Sequence, residues 1–126
     1  MTNHLHLIAR AAEGKELQNI IRDFKKFTST ALVNLILTNP QESRREWLTK
    51  LFKKAAEGYT KPIQFKFWQN GYHPVELTKP QLIDQKLNYI HNNPVAEGWV
   101  NEPEDYPYSS AANYADHIGL LDIALI

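Results

Sequence analysis

The chain has no cysteine, and that absence removes three kinds of chemistry at once. A disulfide framework, a thiolate zinc site and a cysteine nucleophile are all excluded, so any covalent intermediate or metal site must be built from other side chains. Long apolar runs are missing too. Nothing approaches the roughly 20 residues that cross a bilayer, and the polar, alternating stretch after Met1 is unlike a signal peptide. Net charge is the third absence: 14 basic and 14 acidic residues cancel, which argues against a protein that coats nucleic acid through bulk charge. A reducing cytoplasm, with no membrane partner, is the compartment these absences fit.

What is present fits one domain. A chain of 126 residues, 43% of them hydrophobic, is long enough to bury a core without cross-links, so a single domain over 1–126 is expected. The cancelling charges are unevenly spread. Residues 1–66 hold twelve basic and six acidic side chains, and residues 67–126 hold two and eight, giving halves of +6 and −6. The first half can therefore offer a basic surface to an anionic ligand, or simply present ordinary solvated faces.

Residues 3–9 alternate polar and apolar side chains, the period of a strand with one face on a core. From Lys15 to about Leu37, Leu17, Ile20, Ile21, Phe24, Phe27, Ala31 and Leu35 recur at helical spacing, and Asn39-Pro40 closes that helix. Ser43 and Glu46 have the spacing of a capping box before Trp47, Leu48, Leu51, Phe52 and Ala55, a second helix ending near Gly58. Its other face shows Arg44, Arg45, Lys50, Lys53 and Lys54. Ile63, Phe65 and Phe67 alternate with polar residues up to the turn signal Asn70-Gly71, which reads as a strand, a turn and a short extended return. Thr78 and Gln81 form another capping box, with Pro80 in the first turn of a third helix. Ile83, Leu87 and Ile90 give that helix a core face, and Pro94 is expected to stop it at Asn93. The apolar end, Leu120 to Ile126, suits a last strand or helix.

Two small constellations can carry chemistry. On a strand, His4 and His6 project from one face about 6 to 7 Å apart, close enough to share a metal ion; they are equally the polar positions of an edge strand. Tyr89 and Asn93, at i and i+4, share one side of the third helix. Tyr89 falls about 120° from the Ile83–Leu87–Ile90 face, so its hydroxyl can serve a site or simply meet water. Periodicity alone does not join the two pairs.

A resemblance does. Met-Thr-Asn-His-Leu-His-Leu-Ile (1–8), Phe-Lys-Lys-Phe-Thr-Ser (24–29), Phe-Trp-Gln (67–69), Tyr-Ile-His-Asn-Asn-Pro-Val-Ala-Glu-Gly-Trp-Val (89–100) and Tyr-Pro-Tyr-Ser-Ser-Ala (106–111) resemble blocks of the REP-associated tyrosine transposases. That family is a branch of the single-tyrosine HUH transposases. The resemblance implies an α+β, ferredoxin-like fold: an antiparallel sheet with helices packed on one face, its histidine strand beside the helix bearing Tyr89. It further implies that His4, His6 and Asn93 hold Mg²⁺ or Mn²⁺, and that Tyr89 is the catalytic nucleophile that cuts single-stranded or hairpin DNA and keeps a 5′ phosphotyrosine for rejoining. A phenol suits that task because it ionises more readily than an alcohol and its phosphodiester retains the bond energy for strand transfer. In the same reading Arg22, Lys25, Lys26 and Lys86 are candidate contacts to DNA backbone, and Trp68 and Tyr72 are candidate stacking platforms for unpaired bases. The setting is a bacterial cytoplasm, with nucleoid association during action.

The resemblance also sets an expectation about completeness. Family members carry a strand and helix before their His-x-His strand, whereas His4 stands near the start here, so the sheet is expected to be incomplete at the N-terminus. A histidine strand lacking its neighbour leaves open backbone groups that invite a second chain, and a homodimer or a rearranged edge is the expected consequence. A catalytically impaired remnant that binds DNA hairpins without cleaving them is the alternative; an oligomeric remnant with no DNA affinity is a third.

Overall fold

A computed structural model describes residues 4–60, 63–71 and 73–126. Its regular elements are four α-helices, α1 (Leu17–Thr38), α2 (Arg45–Ala56), α3 (Pro80–Ala96) and α4 (Ala111–Tyr114), with a 3₁₀ turn at Pro103–Asp105. Among the described residues there is no strand, so the expected ferredoxin-like antiparallel sheet is not formed. The physical reason lies in what alternation can specify. It favours an extended backbone with two distinct faces, but a strand exists only where a neighbouring backbone pairs its N–H and C=O groups. Residues 5–10 belong to no strand, and among the described residues the 63–69 segment bonds to α2 through Lys66 N–H to the carbonyl of Phe52, at 3.0 Å.

The chain divides into two compact units, residues 10–73 and residues 1–9 with 74–126. In the first, α1 and α2 are joined through Asn39-Pro40, where the Asn39 side chain accepts from Gln41 N–H at 3.0 Å. The Ser43 capping box does not form. Glu42 takes its place, accepting from the Arg44 backbone N–H and guanidinium, each at 3.0 Å. Phe52 and Ala56 are buried, with the Phe67 ring 5.3 Å from that of Phe52.

The covered side of α1 differs from the apolar stripe read from its spacing. Phe27 is 74% and Leu35 58% exposed, whereas Val33 is buried and Ile21, Thr28 and Ile36 are half-buried. That side is turned by about 100° from the expected stripe at about 100° per residue. Trp68 meets the helix beside this side: its indole N–H needs an acceptor when covered and finds Thr28 Oγ1 at 2.9 Å. This draws the 63–69 segment onto the Phe24–Thr28 side of the helix.

The second unit is built on α3. Pro80 occupies the first turn as its missing N–H allows, although neither Thr78 nor Gln81 caps the helix with a side chain. The expected stop at Asn93 is corrected: α3 continues through a buried Pro94 to Ala96. A proline ring sacrifices one backbone bond, and here the loss falls in the last turn, where a Schellman motif closes the end. Gly98 N–H reaches Val95 O and Trp99 N–H reaches Pro94 O, both at 2.9 Å, with Gly98 at φ 73°, a conformation that glycine adopts without steric cost. Ala111 and Ala112 of α4 are buried in this unit. The apolar end is neither strand nor helix. It is irregular, with bends at Leu120 and Leu121, tied by Asn113 Nδ2–H to Leu121 O and by Ile126 N–H to the Tyr114 hydroxyl, each at 3.2 Å. The Asn113 side chain lies where a Cβ at Gly119 would stand, so a larger residue there would have to displace it. Among the described residues no helix is long and apolar enough to cross a membrane.

Candidate functional site

The extended residues 4–9 lie against α3 within one unit. Its covered parity is that of the histidines: His6 and Ile8 are half-buried, while Leu5 and Leu7 are 51% and 55% exposed. The alternation is therefore used in the sense opposite to a leucine-lined core. The His4 and His6 rings meet edge to face with centroids 5.0 Å apart. On the other side of His6 stands Tyr89, its ring centroid 5.5 Å away and also edge-on. One helical turn further along, Asn93 Nδ2 lies 3.5 Å from His6 Nε2. His4 and His6, with Tyr89 and Asn93 more than eighty positions later in the sequence, form one cluster.

The electrostatics of the cluster keep His6 neutral. Partial burial, and then the neighbouring His4, lower its pKa from the ordinary imidazole value. A neutral imidazole presents a lone pair, which is the form that ligates metals. The donor set suits one divalent ion: two imidazoles on one short segment, and an amide whose oxygen and nitrogen exchange places by a half-turn of its last torsion. No group of three or more His, Asp or Glu side chains able to hold a metal occurs among the described residues, so Asn93 is the third donor that this cluster offers. Tyr89 is 57% exposed.

The remaining sequence-derived candidates are distributed differently. Lys86 is half-buried one turn before Tyr89, on the same side of α3 as the cluster. Arg22, Lys25, Lys26 and Trp68 belong to the other unit. There Arg22 is held by Asp23 at 2.8 Å and by Asn19 at 2.8 Å. Lys25 donates to Gln69 O at 3.1 Å and lies over the Trp68 ring. Lys26 lines an open depression on α1 with Asp23, Phe27, Thr30 and Ala31. Trp68 packs between Phe24 and Phe67. Tyr72 lies outside the described residues.

Two arrangements had no reading in the sequence. Tyr59 donates to Asn70 Oδ1 at 2.8 Å and lies under the Lys66 ammonium; the hydrogen bond from Lys66 lowers the phenol's pKa. His91 is buried, with Nε2 at 2.9 Å from Ser110 Oγ and its ring edge-on to Tyr114. The signal for His91 was present in the helix spacing, since it shares the Leu87–Pro94 side of α3. Its partner, nineteen residues later, carried none.

Comparison with family models, with curated proteins and with solved structures returned no match.

A pH dependence follows from the two depressed histidines. Burial lowers the pKa of His91 as it does that of His6, so the unfolded chain takes up protons near pH 6.5 that the folded chain refuses until lower pH. Stability is therefore fully present above about pH 7 and falls as pH drops through the histidine range. Urea unfolding between pH 7.5 and 5 should show this decline, and His91→Gln should flatten it; a slope unchanged in that variant would contradict the assignment.

Proposed function

We propose that the chain is a REP-associated tyrosine transposase of the HUH type, cutting and rejoining single-stranded or hairpin DNA through Tyr89. The single observation that carries this reading is the meeting of His4, His6, Tyr89 and Asn93 in one cluster, which puts a phenol nucleophile beside three side chains able to ligate a metal. In that reaction Tyr89 Oη attacks the scissile phosphorus in line, the bond to the 3′ oxygen breaks, and a 5′ phosphotyrosine and a free 3′ hydroxyl remain. Attack by that hydroxyl on the phosphotyrosine reverses the exchange and returns the phenol. A Mg²⁺ or Mn²⁺ ion held by His4, His6 and Asn93 would polarise the phosphate and stabilise the departing oxygen. His6, kept neutral by burial and by His4, remains a lone-pair donor at physiological pH.

Charge separation supports a division of labour between the units. Residues 10–73 contain twelve basic and six acidic side chains, a balance of +6, and the rest contain two and eight, a balance of −6. The unit with the cluster attracts cations and repels polyanions, so hold on the DNA backbone is assigned to the basic unit, with Arg22, Lys25 and Lys26 as contacts and Lys86 as the cation nearest the reaction. Trp68, and Tyr72 as the second candidate, would meet unpaired bases.

Purified chain incubated with hairpin DNA carrying a 3′ extension and Mn²⁺ should form a covalent adduct on a denaturing gel, abolished by Tyr89→Phe. An adduct that survives the substitution excludes Tyr89 as nucleophile. That no strand forms among the described residues favours a second reading, a catalytically impaired remnant that holds hairpins; binding without cleavage, indifferent to chelator, would select it.

We also propose a homodimer. The apolar positions of α1 that face solvent, Phe27 and Leu35 above all, support it. Light scattering should give twice the chain mass, reduced to the monomer by Phe27→Glu; a monomer at all concentrations would overturn this.

A further inference from the structure

His91 is the one polar side chain among the buried described residues. Burying an imidazole costs free energy unless its nitrogens find partners, and Nε2 finds Ser110 Oγ at 2.9 Å. Ser110 immediately precedes α4, so this bond joins α3 to α4. The Tyr114 ring, one turn into α4, packs edge-on against the imidazole with centroids 5.1 Å apart.

The placement of this bond on the helix matters. At about 100° per residue, His91 is about 160° from both Tyr89 and Asn93, on the side of α3 directly behind them. Leu87, Pro94 and Val95 share the His91 side and are buried or half-buried. They supply apolar area, which is non-directional and tolerates rotation of the helix about its axis. A hydrogen bond restricts both distance and angle.

We propose that His91 is a positioning residue whose bond to Ser110 sets the rotation of α3 about its axis and thereby aims Tyr89 and Asn93 at His6. The back-bond from Asn92 to Asn88 O stays within α3 and cannot supply this orientation. A turn of α3 of about 20° moves a side-chain tip at a helix radius of about 5 Å by nearly 2 Å, and displacements of about 1 Å in a reacting geometry cost about 100-fold in rate. The consequence for catalysis rests on the function proposed for Tyr89; the geometric claim does not.

The test therefore reads geometry first. Ring-proton nuclear Overhauser effects between His6 and Tyr89 are measured on the full chain as wild type, His91→Leu, Ser110→Ala and His91→Gln, with circular dichroism and urea unfolding as controls for folding. The wild type should show the His6–Tyr89 effect; its absence there overturns the proposal. Ser110→Ala and His91→Leu should keep their helix content and lose the effect, and His91→Gln, whose amide can still bond Ser110, should retain it. Should His91→Leu fail to fold, Ser110→Ala decides, and an unchanged His6–Tyr89 effect in that variant overturns the proposal. On hairpin DNA, the variants that lose the effect should form adduct about 100-fold more slowly at unchanged DNA affinity, with His91→Gln restoring the rate. Loss of the effect in variants of a wild type that forms no adduct upholds the positioning role and rejects the proposed function.

Discussion

The contact between His6 and the Tyr89–Asn93 side of α3 is the constraint on which every functional statement depends. It brings residues 4 and 6 to residues 89 and 93 and so makes one cluster of two sequence pairs. An edge-to-face ring contact contributes on the order of 1 kcal/mol, whereas ordering backbone costs about 1 to 2 kcal/mol per residue. One ring contact cannot hold a six-residue extended segment by itself. The half-buried Ile8 adds to it, and an ion bound by His4, His6 and Asn93 would add more, because a ligand that binds only the assembled arrangement stabilises it. Metal binding and ordering of the segment would then be one event.

The same contact places the cluster in the acidic unit. A balance of −6 opposes the approach of a phosphate chain and favours a divalent cation, while the basic side chains stand in the other unit. The zero net charge of the whole chain hides this separation. Two of the cations proposed for DNA contact have local partners: Arg22 is paired with Asp23, and Lys25 with Gln69 O and the Trp68 ring. Exchange of such exposed pairs for phosphate is inexpensive, since surface ion pairs are worth little.

Helices were more legible in the sequence than the extended segments were. The i, i+3, i+4 spacing located α1, α2 and α3 within a few residues, because a helix satisfies its own backbone and needs no neighbour to exist. Alternation at 3–9 and 63–68 said that these segments are extended, but whether they join a sheet depends on other parts of the chain, and among the described residues no strand forms. Pro94 read as a stop because its local cost is real; burial of its ring and the Gly98 turn carry the helix past it. The sharing of one helix side by Tyr89 and Asn93 followed from spacing. Their meeting with His6 did not, and the Ser110 partner of His91 had no local signal at all.

The central claim is that His4, His6 and Asn93 form one ion site next to Tyr89. Crystals of the full chain soaked in Mn²⁺ and measured at the manganese absorption edge test it most directly. The account predicts an anomalous peak in contact with all three side chains and beside the Tyr89 hydroxyl. A peak elsewhere, or none at saturating Mn²⁺ with His4 and His6 well ordered, would contradict it.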